Sequence, residues 1–127
     1  MSPRPRVFTN GTVTIARPKV VRHATLKALV AAHRAVGGRG GAAIARREVR
    51  MFGCWAFCQP GQIDYWASRD VRPAALVNLF AHEVAHLVVD FWPSAVVSVG
   101  EGERSEQVAE TYAAVAGLAL EIAAEHV

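Results

Sequence analysis

The sequence predicts a single α+β domain spanning residues 1–127. Three observations lead there. The pair Asn10-Gly11 sits between two alternating runs in "RVFTNGTVTIA", a strong local signal for a β-hairpin. A second region, 43–68, alternates again and contains its own turn pair, Pro60-Gly61. Three further stretches space their apolar residues for helices and are bounded by Gly or Pro. The resulting order is hairpin, helix, strands, helix, loop, helix, which segregates strands from helices as an α+β domain does.

Along the chain, the first helix is expected from about Val20 to Val36. Val21, Leu26, Leu29, Val30 and Val36 fall at helical spacing there, and Gly37 is the stop. "GGRGG" at 37–41 reads as that stop plus a flexible turn. "AIARREVRM", "GCWAFCQ" and "QIDYWAS" read as β structure, with Gly53 as a bulge or bend. Pro73 opens the next helix at its first turn, where a missing N–H costs nothing, and that helix stops near Phe91, before Pro93. A loop with Gly100 and Gly102 follows, and an alanine-rich helix runs from about Ser105 to the end.

The totals narrow the classes. Apolar residues make up 52% of the chain and charged residues 20%, a globular balance that argues against disorder. A formal charge of +3 is small enough to be a solvated surface, although Arg4, Arg6, Arg17, Lys19 and Arg22 concentrate part of it near the start, where it could meet nucleic acid. The N-terminus lacks an apolar signal-peptide core, and no apolar run approaches a membrane span. Two cysteines, Cys54 and Cys58, are too few for a disulfide framework and lie two pleats apart, so free thiols in a cytoplasmic protein are expected.

One stretch stands out chemically: "NLFAHEVAHLVVDFW", 78–92. Asn78, His82, His86 and Asp90 recur every four residues on a helix otherwise rich in Leu, Val and Phe. If that stripe is buried, its groups need partners, because an unpaired buried polar group costs roughly 2–7 kcal/mol. Two histidines at i and i+4 stand about 6 Å apart and can aim their imidazoles at one ion. Glu83, turned by about 100° from His82, flanks that point. His82-Glu83-x-x-His86 is the pattern of a helix-borne zinc site whose glutamate is the general base. A third ligand is still needed. Asp90 lies about 12 Å along the axis from His82, too far to share its ion. Glu101 and Glu103 sit in a glycine-flanked loop and read as solvated. Glu106 and Glu110 lie one turn apart amid Val108, Ala109, Ala113 and Ala114, and with Gly117 that small-residue face would let the last helix approach the histidine helix. One carboxylate could bind metal while the other accepts a ligating histidine's N–H.

"AHEVAHLVVD" followed by "SEQVAETYAAVAG" resembles the gluzincin metallopeptidases, and among them the ImmA/IrrE type. Glu106, Ala109, Tyr112 and Ala113 match the Glu-x-x-Ala-x-x-aromatic-Ala pattern of that type's second helix, and the similarity covers 74–118, about a third of the chain. The resemblance implies a minimal zincin fold: a small twisted, mostly antiparallel sheet with an N-terminal helix, an active-site helix and a C-terminal ligand helix. It implies zinc on His82, His86 and Glu106, with Glu83 catalytic and Glu110 behind the ligands. Tyr112 falls on the family's packing aromatic, and His23, His33 and His126 read as solvated. Tyr65 and Trp66 suit either a substrate cleft or sheet packing.

The expected activity is zinc-dependent hydrolysis of a peptide or protein substrate, the peptide adding to a sheet edge. Two alternatives remain open. One is a zinc-stapled, non-catalytic module that binds DNA or protein; the other is a SprT-like protease acting on DNA-bound proteins.

Overall fold

The computed structural model describes residues 6–126. The elements are β1 (Val7–Thr9), β2 (Thr14–Ala16), β3 (Lys19–Arg22), α1 (Leu26–Ala35), α2 (Gly41–Phe52), β4 (Cys54–Gln59), β5 (Gln62–Ala67), α3 (Pro73–Asp90), α4 (Trp92–Ala95), β6 (Val96–Ser98) and α5 (Arg104–Glu125). The α+β class holds. In place of one sheet there are two of three strands, ordered β1-β2-β6 and β3-β5-β4. Their pairings are antiparallel except that of β3 with β5, which is parallel.

The first hairpin forms where Asn10-Gly11 places it. Asn10 Oδ1 accepts from the backbone N–H groups of Thr12 (3.0 Å) and Val13 (2.8 Å), and Gly11 supplies the positive φ of 94°. The first helix starts later than its periodicity suggests. Val20 and Val21 belong to β3, which lies in register with Ile63 and Asp64 of β5. Their β-branched side chains suit a strand, and Thr25 is the true N-cap, its side chain accepting from Ala28 N at 3.0 Å.

The larger departure is α2. "AIARREVRM" alternates like a strand, yet Ala, Arg and Glu are strong helix formers, and Ala45 and Val49 at i, i+4 reach the same cluster as Trp55 and Phe57. Gly53 is therefore a helix C-cap and not a bulge. Its φ is 77°, and its N–H bonds Val49 O at 2.8 Å. The 37–41 segment is not a loose turn either, since it wraps the His33 ring: a Cβ on Gly38 would lie 2.1 Å from His33 Cε1.

β4 and β5 turn back at Pro60-Gly61 in the register Gln59↔Gln62. Cys54, Ala56 and Cys58 face the main core under α3, while Trp55 and Phe57 face α1 and α2. α3 runs from Pro73 at N1 to Asp90, as the proline positions predict. The short α4 and β6 lie where the sequence reads as the end of a helix and a loop. Three residues are too few to show a period, and β6 exists by pairing with β2.

α5 buries Thr111, Ala114, Val115, Leu118, Ala119, Ile122 and Ala123. Gly117 makes room for a neighbour other than the one expected, because a Cβ there would lie 2.7 Å from Cζ of Phe8. Arg17 ties this helix to the N-terminal sheet through Glu121 and Glu125, each at 2.6 Å. That bond occupies part of the basic surface considered for nucleic acid; Arg4 lies outside the described residues. Among those residues no helix is long and apolar enough to cross a membrane.

Candidate metal centre

α3 presents two different surfaces. Leu76, Phe80, Val84, Leu87 and Val88 fill the core, and Glu83 is buried with them. Asn78, His82, His86 and Asp90 all lie on the exposed side. The stripe is thus the helix's solvent edge and not a buried seam, which removes the premise that burial forces a partner on it. Glu83 alone keeps that requirement, at 5% exposure.

What the exposed groups do is nonetheless specific. His82 Nε2 and His86 Nε2 face each other at 3.0 Å, a hydrogen bond in which one ring N–H donates to the other nitrogen. Two imidazole nitrogens bound to one tetrahedral zinc at about 2.0–2.1 Å stand about 3.3 Å apart, so the pair already has nearly the spacing of a bidentate ligand. His86 Nδ1 lies 3.3 Å from Asp90 Oδ2. A carboxylate accepts there, so Nδ1 carries the proton and Nε2 of the neutral ring keeps its lone pair. The carboxylate on a histidine N–H, expected from Glu110, is supplied by Asp90. Its i, i+4 spacing from His86 is the sequence signal for that role, whereas its separation of about 12 Å along the axis from His82 bears only on direct ligation.

Glu83 turns inward to β4. Burial pushes its carboxyl up from 4.5 to about 7, opposed by His86 and by a hydrogen bond with Cys58. Here the thiol donates to the carboxylate. Burial, followed by the Glu83 charge, drives Cys58 up to about 12, so its proton stays on sulfur. In the metal-free chain the folded state holds the Glu83 proton to about pH 7, while the unfolded state releases it near 4.5. The associated stability is complete below pH 4.5 and is lost as pH rises through 7, on the order of 3 kcal/mol. Thermal melts in chelator should therefore show Glu83→Gln gaining on wild type over that window. A constant difference from pH 4 to 8 would contradict the burial.

Glu106 and Glu110 are placed elsewhere. Arg104, Val108, Thr111, Tyr112 and Val115 share a cavity of about 370 Å³ with Ala85, Val88 and Val89 of α3. At 100° per residue this puts Glu106 on the opposite side of α5, where it is exposed. The rotation is set by the buried row Thr111, Ala114, Val115, Leu118 and Ile122, which outweighs the small-residue face read from the sequence. Glu110 lies against the first hairpin, its carboxylate 3.4 Å from Asn10 Nδ2. Among the described residues no three His, Cys, Asp or Glu side chains are grouped to hold a metal. The structure brings His82 and His86 together on the exposed side of α3, keeps Glu83 buried beside them, and leaves Glu106 and Glu110 out.

Tyr112 is 69% exposed, not a packing aromatic. The three remote histidines are held rather than solvated. His23 Nε2 is 2.9 Å from Asp64 Oδ1, His33 packs edge-on to Trp55 and Phe57, and His126 Nδ1 is 2.9 Å from the Tyr65 hydroxyl. Tyr65 itself is fully buried, which settles it as packing.

A cleft of about 440 Å³ opens beside His82. Asn78, Leu79, His82 and Glu83 of α3 form one wall, Ile44, Glu48 and Phe52 of α2 the other, and Cys54, Trp55 and Ala56 of β4 the floor. β4 ends its sheet, so among the described residues its outer edge runs along this floor without a strand partner. No protein-family model, curated protein or solved structure matches the chain.

Proposed function

We propose that the chain is a zinc-dependent peptidase, with His82 and His86 holding the metal and Glu83 acting as general base. The facing Nε2 atoms, 3.0 Å apart with Asp90 behind His86, carry this proposal. Their donor chemistry and spacing fit two of the three protein ligands that a catalytic zinc takes, and the described residues group no third beside them. Zinc there would supply Lewis acidity, lowering the pKa of a water ligand to about 7 and polarising the scissile carbonyl.

The chain's own residues would do the rest. Glu83, poised near neutrality by burial, would take a proton at its carboxylate and return it to the leaving amine. The Cys58 thiol orients that carboxylate without competing for the proton. Asp90 holds the His86 ring in the tautomer that binds metal. An extended peptide would pair with the free edge of β4, where backbone bonds give affinity with little sequence preference. The activity test is a digest of a broad peptide pool by zinc-loaded chain, with a chelator control. Chelator-sensitive cleavage is expected, and no cleavage would favour a metal-stapled binding module.

The resemblance implies Glu106 as a third ligand, whereas the geometry turns it away. On this geometry Glu106→Gln should keep zinc affinity within about threefold of wild type, and Asp90→Asn should weaken it about 10–100-fold. Competition titration of both variants with a zinc indicator decides. A loss in Glu106→Gln as deep as that in His86→Ala would place the start of α5 against the histidines instead.

A further inference from the structure

The charge within the cleft contrasts with that of the whole chain. The chain carries +3 overall, and α2 alone exposes Arg46, Arg47 and Arg50 to solvent. None of these arginines lines the cleft; the α2 residues that do are Ile44, Glu48 and Phe52. Among the residues lining it, the charged side chains are the carboxylates Glu48 and Glu83. Glu83 is buried and shares a hydrogen bond with Cys58. Glu48 is half-buried, and the neighbour it acts on is the Cys54 thiol, whose ionisation it opposes.

Ile44, Glu48 and Phe52 recur every four residues, so they form one stripe along the wall facing His82. The two apolar members are 38% and 50% exposed. An apolar, carboxylate, apolar stripe suits a group with an aliphatic stem and a cationic head. The stem lies on Ile44 and Phe52, and the head reaches Glu48. We infer that Glu48 determines specificity by receiving a cationic group of the substrate, a lysine or arginine side chain or a free peptide amine, in the cleft beside His82 and Glu83.

This inference rests on the peptidase proposal, but its test does not require turnover. Peptides differing at one residue (Lys, norleucine or Glu), each with a free or acetylated N-terminus, are bound to zinc-loaded Glu83→Gln chain and followed by anisotropy. The lysine peptide should bind about tenfold tighter than the norleucine one, the worth of one charge-assisted hydrogen bond at a half-buried site. Adding Glu48→Gln should bring the ratio close to one, and Glu48→Lys should turn it toward the Glu peptide. A preference that follows the free amine and disappears on acetylation assigns the cation to the N-terminus. A ratio near one with Glu48 intact, for both side chain and amine, or a ratio that survives Glu48→Gln, overturns the inference. If the preference holds while zinc-loaded wild type cleaves none of these peptides, the peptidase proposal fails and the Glu48 assignment stands.

Discussion

Glu83→Gln is expected to lower peptide hydrolysis by two to four powers of ten while zinc content stays at the wild-type level. The drop is the usual worth of general-base catalysis. Zinc should be retained because the Glu83 carboxylate turns inward to Cys58, while the facing nitrogens belong to His82 and His86. Glutamine keeps the shape and can still accept from the Cys58 thiol, so the core under α3 should remain packed. A folding defect is therefore not expected to mimic a catalytic one; the metal-free variant should even melt higher than wild type at pH 8. Side-by-side digestion of a peptide pool, with zinc measured on the same samples, makes the comparison. Cleavage by Glu83→Gln at the wild-type rate would remove Glu83 from the mechanism.

The second large effect is expected at the histidines. His82→Ala and His86→Ala should each abolish stoichiometric zinc, because one imidazole left on an exposed helix face is a weak monodentate ligand. Activity should fall with the metal in both. Stability should change little, since both side chains are exposed and neither fills the core. Hydrolysis should not return when zinc is raised to micromolar levels. Full zinc in either variant, measured after dialysis, would mean that the metal sits elsewhere.

Much of this site could be read from the sequence, and the part that could not has a physical cause. The His82-Glu83-x-x-His86 spacing fixes which side chains share one helix, and Pro73 and Pro93 fix where that helix runs. Local chemistry settles such features. Which way α5 rotates is settled by tertiary packing instead. The row from Thr111 to Ile122 turns Glu106 outward, and alanine-rich periodicity gives several nearly equal faces from which to choose. The same ambiguity hid α2, where Ala45 and Val49 pack as a helix against Trp55 and Phe57 although the segment also alternates. Val20 and Val21 fit helical spacing locally, but their partner strand lies more than forty residues away. The Glu83–Cys58 contact likewise joins α3 to β4 across the fold, which no local pattern encodes.

Zinc K-edge X-ray absorption on the loaded chain would look at the metal itself. The expected spectrum corresponds to one zinc per chain, with outer-shell scattering from two imidazoles bound at about 2.0–2.1 Å. Zinc that fails to bind, or that binds with no imidazole scattering, would contradict a metal centre on His82 and His86.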